Sequence, residues 1–397
     1  MSCLYFIEKS FHWEEGSIKE IEELGSALLL YVEFTSAPSS CPYCHHDALH
    51  IKDYRDQKVL LGHWNNQPVS GVIHKRRFLC PSCHKTFYEQ IPGIESYQRR
   101  SNDVKSSILR ACCELMSFKA IARNHGVSVS TVIRDFDRFT FKRPLHLPEV
   151  LSLDEFRGNA HGQRYQVALN DPQQHKILDI LPKRTTLELI RYFSQFPRRE
   201  RLKVKFVVMD LSLLFRKVIK TMFPHAVIIG DRFHIQRLVI WALERVRKNV
   251  QKEFDEKRIY FKRNKHILNK KGTHLTEEEL VSLREILKQS PELQKAYALK
   301  EGFFKVFAMK DRTAIASFLS RWIALVEESG IEEFRSLIKT FTDWKAEILE
   351  GLSQTYSNGF TEGMNNKIKV LKRVSFGFQN FDRFRSRILL LGAVKFI

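Results

Sequence analysis

Cys41-Pro-Tyr-Cys44 and Cys80-Pro-Ser-Cys83 are two C-x2-C pairs. Each puts two thiolates on a tight turn, and two such turns can close a tetrahedral Zn²⁺ site. Four Cys ligands leave no open position for water, so the chemistry expected is structural rather than catalytic. The plain alternative is four reduced thiols in an apolar core. His45, His46 and His84 adjoin the pairs and read as surface residues. Cys3, Cys112 and Cys113 lack such partners and read as packing residues. Between the pairs, the run HKRR (74–77) is a basic patch suited to phosphates.

A second set of residues is acidic. Asp154 lies in LSLDEF, Asp210 ends VKFVVMD, Asp231 ends HAVIIGD within D-R-F-H (231–234), and Glu362 opens a basic stretch in SNGFTEGMNNKIKVLKR. Three converging carboxylates can hold two Mg²⁺ ions about 3.5–4 Å apart and clamp the attacking and leaving oxygens of a phosphodiester. Magnesium suits hard carboxylate oxygens and retained waters. A lone Asp at a strand end is ordinarily a solvated turn residue, so only the joint context gives these positions weight. Asn365, Asn366 and Lys369 follow Glu362 at helical spacing and are expected on its face. Glu155 adjoins Asp154, but strand alternation sends it to the opposite face.

These side chains need elements to position them. LSLDEF, RYQVAL and KILDIL read as three strands, TTLELIRYFSQF as a helix, VKFVVMD as a fourth strand, LLFRKVIKTMF as a helix and HAVIIGD as a fifth strand before another helix. That is the element order of a ribonuclease-H-like fold. There one carboxylate sits on the first strand, another ends the adjacent fourth strand, and a third comes from a later helix. Residues 233–350 are almost wholly helical. Within them 244–272 carry eleven Lys or Arg against four Asp or Glu, interleaved with Val246, Val250, Phe254, Tyr260 and Phe261. This suits a surface for DNA backbone, or equally a solvated helix face. Trp241, Trp322 and Trp344 read as core anchors.

Upstream, SFKAIARNHGVSVSTVIRDFDRF (117–139) has the pattern of a helix-turn-helix. Ile121 and Ala122 are buried, Gly126 supplies a positive-φ turn, and Ser128 caps a second helix with Val132, Ile133 and Phe136 at helical spacing. The start of such a second helix enters the major groove. Ser128, Ser130, Thr131 and Arg134 are the expected readers; an ordinary helical hairpin is the bland alternative.

The 397 residues include 65 Lys or Arg and 45 Asp or Glu, a formal net charge of +20. So basic a chain attracts polyanions. Hydrophobic residues at 43%, with 30 Phe, suffice for packed cores. No apolar run reaches the ~18–20 residues that span a bilayer. The start lacks the pattern of a secretory signal. Seven Cys in such a chain point to a reducing compartment, not a disulfide scaffold.

In order, the Zn pairs, helix-turn-helix, L-D-E-F, V-M-D, D-R-F-H and S-N-G-x-T-E-G-x-N-N-x-I-K-x-x-K-R make the chain resemble the bacterial insertion-sequence transposases of the ISL-three group, over nearly its whole length. The resemblance implies a DDE transposase that binds terminal inverted repeats, cleaves DNA strands and transfers them with two Mg²⁺ (or Mn²⁺). It implies Asp154, Asp210 and Glu362 as the catalytic, metal-binding trio. The fourth strand borders the first while the fifth lies one ladder spacing away, about 4.8 Å; this favours Asp210 over Asp231. Asp231 and His234 match a D-x-x-H motif and take a supporting role, as do Asn365 and Asn366. Lys369, Lys372 and Arg373 are expected on DNA, beside the readers of the helix-turn-helix. The expected fold is multidomain α+β. A zinc module (1–95) and a helix-turn-helix (96–148) precede a ribonuclease-H-like core (149–234 and 351–397), interrupted by an all-helical insertion (235–350). Structural Zn²⁺, double-stranded terminal-repeat and target DNA, a homo-oligomer and a place at the nucleoid of the bacterial cytoplasm complete the expectation. The competing readings are a transposase-derived DNA-binding protein without activity and a structure-selective nuclease on the same core.

Overall fold

The computed structural model describes residues 3–64, 67–139, 141–253 and 258–393, with the side chains of 3–6 and 258 excepted. The readings of Cys3 and Phe254 therefore lie outside the described residues. The chain forms two compact units, 1–140 with 373–376, and 141–372 with 377–397.

The first unit opens with α1 (Cys3–Ser10) and builds a five-stranded sheet from β1 (Ile18–Leu24), β2 (Ala27–Val32), β3 (His50–Trp64), β4 (Gln67–Leu79) and β5 (Thr86–Tyr88). The order is β1-β2-β4-β3, with β5 added to β4. The long β3–β4 hairpin is antiparallel and β2 runs parallel to β4. Leu30, Val32, Val59, Leu61 and Ile73 from three strands close over Ile7 and Trp13. Three short helices follow: α2 (Asn102–Ala111), α3 (Phe118–Asn124) and α4 (Val129–Phe136). Ser101, Ser117 and Ser128 cap them, each hydroxyl accepting a first-turn N–H, which satisfies donors a helix start otherwise leaves unpaired. Leu60 bridges Arg100 in the segment before α2, and the buried Arg100 guanidinium forms an ion pair with Asp135 of α4. The sheet and these helices lie in one compact unit.

The second unit is built on a mixed sheet of β6 (Val150–Phe156), β7 (Gln166–Asp171), β8 (Lys176–Leu181), β9 (Phe206–Met209) and β10 (Val227–Gly230). Its order is β10-β9-β6-β7-β8. β6, β7 and β8 are antiparallel neighbours, whereas β9 and β10 run parallel to β6. Strand alternation splits β6 between two cores. Leu151 and Leu153 join Val207 and Met209 beneath α5 (Thr186–Ser194) and α7 (Leu213–Met222), with the short α6 (Arg198–Arg201) between them. On the other face, Phe156, Ala168 and Ile180 meet α16 (Gly359–Val374) and α17 (Phe381–Ala393).

Between β10 and α16 lie α8 (Arg232–Glu253), α9 (Arg258–Arg263), α10 (Lys265–Asn269), α11 (Glu277–Lys288), α12 (Pro291–Phe304), α13 (Arg312–Ser329), α14 (Glu332–Asp343) and α15 (Lys345–Ser353). Ile235, Val239, Ala242, Leu243, Val246 and Val250 form the buried stripe of α8 and belong to the same apolar cluster as Leu151, Phe303, Trp322 and Phe341. The helical stretch therefore has no separate core: its interior is continuous with one face of the sheet. Trp322 and Trp344 are buried there as expected; Trp241, at 48% exposure, is not a core anchor, because it lies off the buried stripe of α8.

Candidate functional site

In the first unit the four thiols come together. Cys41 Sγ is 3.7 Å from Cys83, Cys44 Sγ is 3.5 Å from Cys80, and all four lie within 4.8 Å of one another. Zn–S bonds of about 2.3 Å set tetrahedral S–S separations near 3.8 Å, so the donor set fits zinc. Each pair closes the same way. His45 N–H donates to the Cys41 carbonyl and His84 N–H to that of Cys80, with both His in the left-handed region at φ 60° and 57°. These two His and His46 are exposed. Burial pushes the Cys41 thiol up, but backbone N–H groups of Tyr43 and Cys44 outweigh it and bring it to about 7, whereas at Cys83 the Lys85 N–H is outweighed by burial and the three neighbouring thiols, which push it up to about 11. In the basic run between the pairs, Lys75 and Arg76 are buried on opposite faces of β4, Arg76 clamped on Glu89, while His74 is exposed and Arg77 half-buried.

The helical segment that follows has Gly126 at φ 60°. Ser128, Ser130 and Arg134 are exposed and Thr131 is half-buried. Ser128 Oγ is occupied as the cap of α4, accepting from Thr131 N–H at 3.2 Å.

In the second unit the acids gather at one end of the sheet. Leu153 of β6 pairs with Met209 of β9, so Asp154, still within β6, stands level with Asp210, which follows the end of β9. Met209 pairs with Gly230 of β10, and Asp231 follows directly. One turn into α8, His234 Nδ1 lies 2.7 Å from both Asp210 Oδ1 and Asp231 Oδ2. Asp231 Oδ2 and Asp210 Oδ1 thus share one imidazole nitrogen. Burial would lower the imidazole, but hydrogen bonds to Asp210 and Asp231 prevail and raise it to about 9. Asp154 is 6% exposed. Burial, then the charge of Asp210, pushes its carboxyl up to about 7.

A buried polar network brings Glu362 to this end. Ser152 Oγ donates to Asn358 Oδ1 at 2.6 Å and lies 3.0 Å from Thr361 Oγ1, which accepts from Asn170 Nδ2 at 3.1 Å. The S-N-G-x-T-E stretch thus docks the start of α16 on β6 and β7. Asn365 Nδ2 then donates to Asp154 Oδ2 at 2.7 Å. Glu362, half-buried on the first turn, has its carboxyl raised by burial and then by the charges of Asp231 and Asp210, against His234 and Arg237. Buried carboxylates crowded together repel unless a cation joins them. Asp210, Asp231 and His234 offer ligand atoms within 4.8 Å of one another, and the carboxylate oxygens here fit a hard divalent ion such as Mg²⁺.

Several expected residues behave differently. Asn366 is exposed and accepts from Lys369 at 3.4 Å, touching no acid, because the docking of Thr361 and Asn365 rolls it outward. Lys372 donates one of its three ammonium protons to the Arg157 carbonyl at 2.6 Å, near the end of β6. Lys369 and Arg373 are exposed. In the basic stretch, Arg247 is buried on Glu244 and Arg245 bonds the Glu333 carbonyl, so part of that charge serves packing.

Sequence reasoning missed part of the surroundings. Glu155 does face away from Asp154, pairing with Arg184, yet at the sheet's end it lines a pocket of about 190 Å³ with Asp210, His234, Arg237 and Trp241. Arg237 stacks over the Trp241 ring at 4.6 Å. These two stand three and seven positions after His234, a same-face spacing that was legible. Arg184 carries no such signal. Arg232, of the same D-R-F-H run, donates to the carbonyls of Gly351, Leu352 and Gln354 and caps the end of α15.

Comparison with known proteins yields three matches to family models. Residues 151–388 match a family described as "Transposase", of the DDE type of the ISL3 group. Residues 89–140 match the "Helix-turn-helix domain of transposase family ISL3", and residues 37–83 the "zinc-finger of transposase IS204/IS1001/IS1096/IS1165". The chain is 23% identical over 396 residues to the transposase for insertion sequence element IS1001 of Bordetella parapertussis, covering 95% of each. It is 25% identical over 301 residues to the transposase for IS1557 of Mycobacterium tuberculosis, covering 68% of this chain and 65% of that one. A shorter match, 35% over 131 residues, joins 33% of the chain to 38% of a Lactococcus lactis protein named ATP-dependent protease. No helix among the described residues is long and apolar enough to cross a membrane.

Proposed function

The chain belongs to the ISL3 family of transposases, and from that premise we propose that it binds the terminal inverted repeats of an insertion sequence, cleaves the DNA strands there and transfers them to target DNA. In this reading the mixed sheet is a ribonuclease-H-like core into which residues 235–350 are inserted. Asp154, Asp210 and Glu362 hold two Mg²⁺ (or Mn²⁺) ions. Those ions, when bound, activate the attacking oxygen and stabilise the leaving one. Asn365 orients Asp154 through its 2.7 Å hydrogen bond. His234, fixed by Asp231, holds Asp210 from the other side. The start of α4 reads the repeat in the major groove, with Ser130, Thr131 and Arg134 toward the bases and Ser128 capping the helix. Lys369 and Arg373 contact phosphates. The four Cys hold a structural Zn²⁺. Because two element ends react together, the working form is a homo-oligomer on DNA, at the nucleoid of the bacterial cytoplasm.

The observation that carries this proposal is that Asp154, within β6, stands level with Asp210 at the end of the adjacent parallel β9, on the sheet where the polar network docks the start of α16 with Glu362. It is tested with the purified chain, labelled terminal-repeat DNA and Mg²⁺. The wild type nicks at the element end, while Asp154→Ala binds the same DNA with near-wild-type affinity and does not cut. A wild type that binds but never nicks with Mg²⁺ or Mn²⁺ defeats the enzymatic assignment. Cutting of any junction regardless of repeat sequence points to a structure-selective nuclease.

A further inference from the structure

One large concave surface of the first unit is not assigned to any activity above. It is a groove of about 1420 Å³ along β3, β4 and β5, well above the roughly 300–1,000 Å³ of small-molecule pockets. Pro42 and Tyr43 of the first Cys pair line it, and so does Gly126, the turn of the helix-turn-helix. One surface of one compact unit thus links the thiol cluster to the element that reads DNA.

Its charge is lopsided in a specific way. Three acids line it, and each is already engaged. Glu89 is clamped by Arg76, Asp56 lies 2.7 Å from His74, and Glu14 accepts from Thr35 and Ser36. Arg55, Lys58 and Arg99 line it too. All three are exposed, and no acid stands within ion-pair distance of them among the described residues. Uncompensated cations bordering one groove cost self-repulsion and suit a polyanion.

Continuity with the helix-turn-helix decides which polyanion. Single strands are gripped by stacking bases on open rings, and two lining rings are open, Tyr43 at 55% and Tyr97 at 86% exposure. Lys85 Nζ stands 4.7 Å over Tyr43, and Lys75 and Arg77 each 5.7 Å from the Tyr88 centroid. The groove reaches Gly126, the turn before α4, so the backbone it meets is that of the duplex that α4 reads.

We propose that this groove is a second DNA-binding surface, which holds the phosphate backbone of the duplex flanking the segment read by α4. The proposal rests on the reading of the chain as a binder of terminal-repeat DNA.

The test uses the full chain and a terminal-repeat duplex. The triple variant Arg55→Ala, Lys58→Ala, Arg99→Ala is compared with wild type and with Arg134→Ala, after its zinc content and melting temperature are matched to wild type. Each lost phosphate contact flattens the log affinity against log salt slope by about 0.9. The triple variant should therefore lose between two and three from that slope, weaken repeat and unrelated DNA alike, and shorten the footprint on one side only. Arg134→Ala should instead weaken the repeat selectively. A triple variant with unchanged slope and footprint overturns the proposal, whereas a wild type that binds no duplex at low salt defeats the parent reading first. The wild type gives an independent check. Trimming the duplex from the groove side should cost affinity before the α4 site is reached; equal tolerance at both ends overturns the proposal. So does oligo-dT that displaces the duplex at equal concentration, which would make the groove a single-strand site.

Discussion

Asn365 and Asn366 are neighbours in sequence with unlike surroundings, and the difference makes a prediction. Asn365 is buried with its amide on Asp154, while Asn366 faces solvent beside Lys369. Partners that orient a metal-binding carboxylate typically matter by about 10–100-fold. Asn365→Ala should lower the cleavage rate by roughly that factor and raise the Mg²⁺ concentration for half-maximal cutting, with DNA affinity unchanged. Asn366→Ala should leave both near wild type. Equal losses from the two would mean that the orientation of α16 differs under turnover. From spacing alone, both Asn fall on the face of Glu362, so the sequence offers the pair and not the choice. What chooses is the roll of α16, set by Asn358 and Thr361 against Ser152 and Asn170. Those contacts span about two hundred residues of chain and have no local signature. Asp210 and Asp231 were legible for the opposite reason: each directly follows a short apolar run, and a strand's end needs no distant partner to be recognised.

At the scale of elements, the informative contact is between α15 and β10. A Cβ on Gly351 would stand 2.0 Å from the Gly230 carbonyl oxygen, a backbone atom. Gly351→Ala must therefore push the helix off the strand, and overpacking of this kind costs about 1–3 kcal/mol. Gly302, inside α12, meets nothing within 4 Å. Gly302→Ala should thus stabilise, by up to about 1 kcal/mol from helix propensity. Urea unfolding of the two variants should move the midpoint in opposite directions. A neutral Gly351→Ala would show that α15 can slide along the sheet. This contact also explains why the helical stretch reads differently from its packing. Charge and helical periodicity mark residues 233–350 as an extended helical region. Nothing local reveals that α8 and α15 share the core under β9 and β10, because apolar stripes announce burial without naming the surface they bury. Trp241 is the converse case: its type suggested a core anchor, and the stripe on α8 leaves it outside.

For the whole molecule, the two units should part company when zinc is removed. The first holds its sheet over a small core of a dozen buried apolar side chains, and small cores commonly lean on a metal or other staple. The second has a far larger continuous interior and no share in the thiol cluster. Chelation should release one Zn²⁺ per chain, abolish binding to terminal-repeat DNA and leave most of the far-ultraviolet helical signal, because the described helices lie mainly in the second unit. Cys80→Ser should reproduce that state without chelator, since Cys80 is fully buried and pairs closely with Cys44. The binding that survives elsewhere should be weak, independent of sequence and steeply salt-dependent, as a net charge of +20 alone would give. If a chelator releases no zinc, the four thiols are a reduced cluster and the first unit stands on its apolar core. If zinc leaves and repeat recognition persists, α3 and α4 hold their geometry without the sheet, and the Arg100–Asp135 pair that joins them is dispensable for reading DNA.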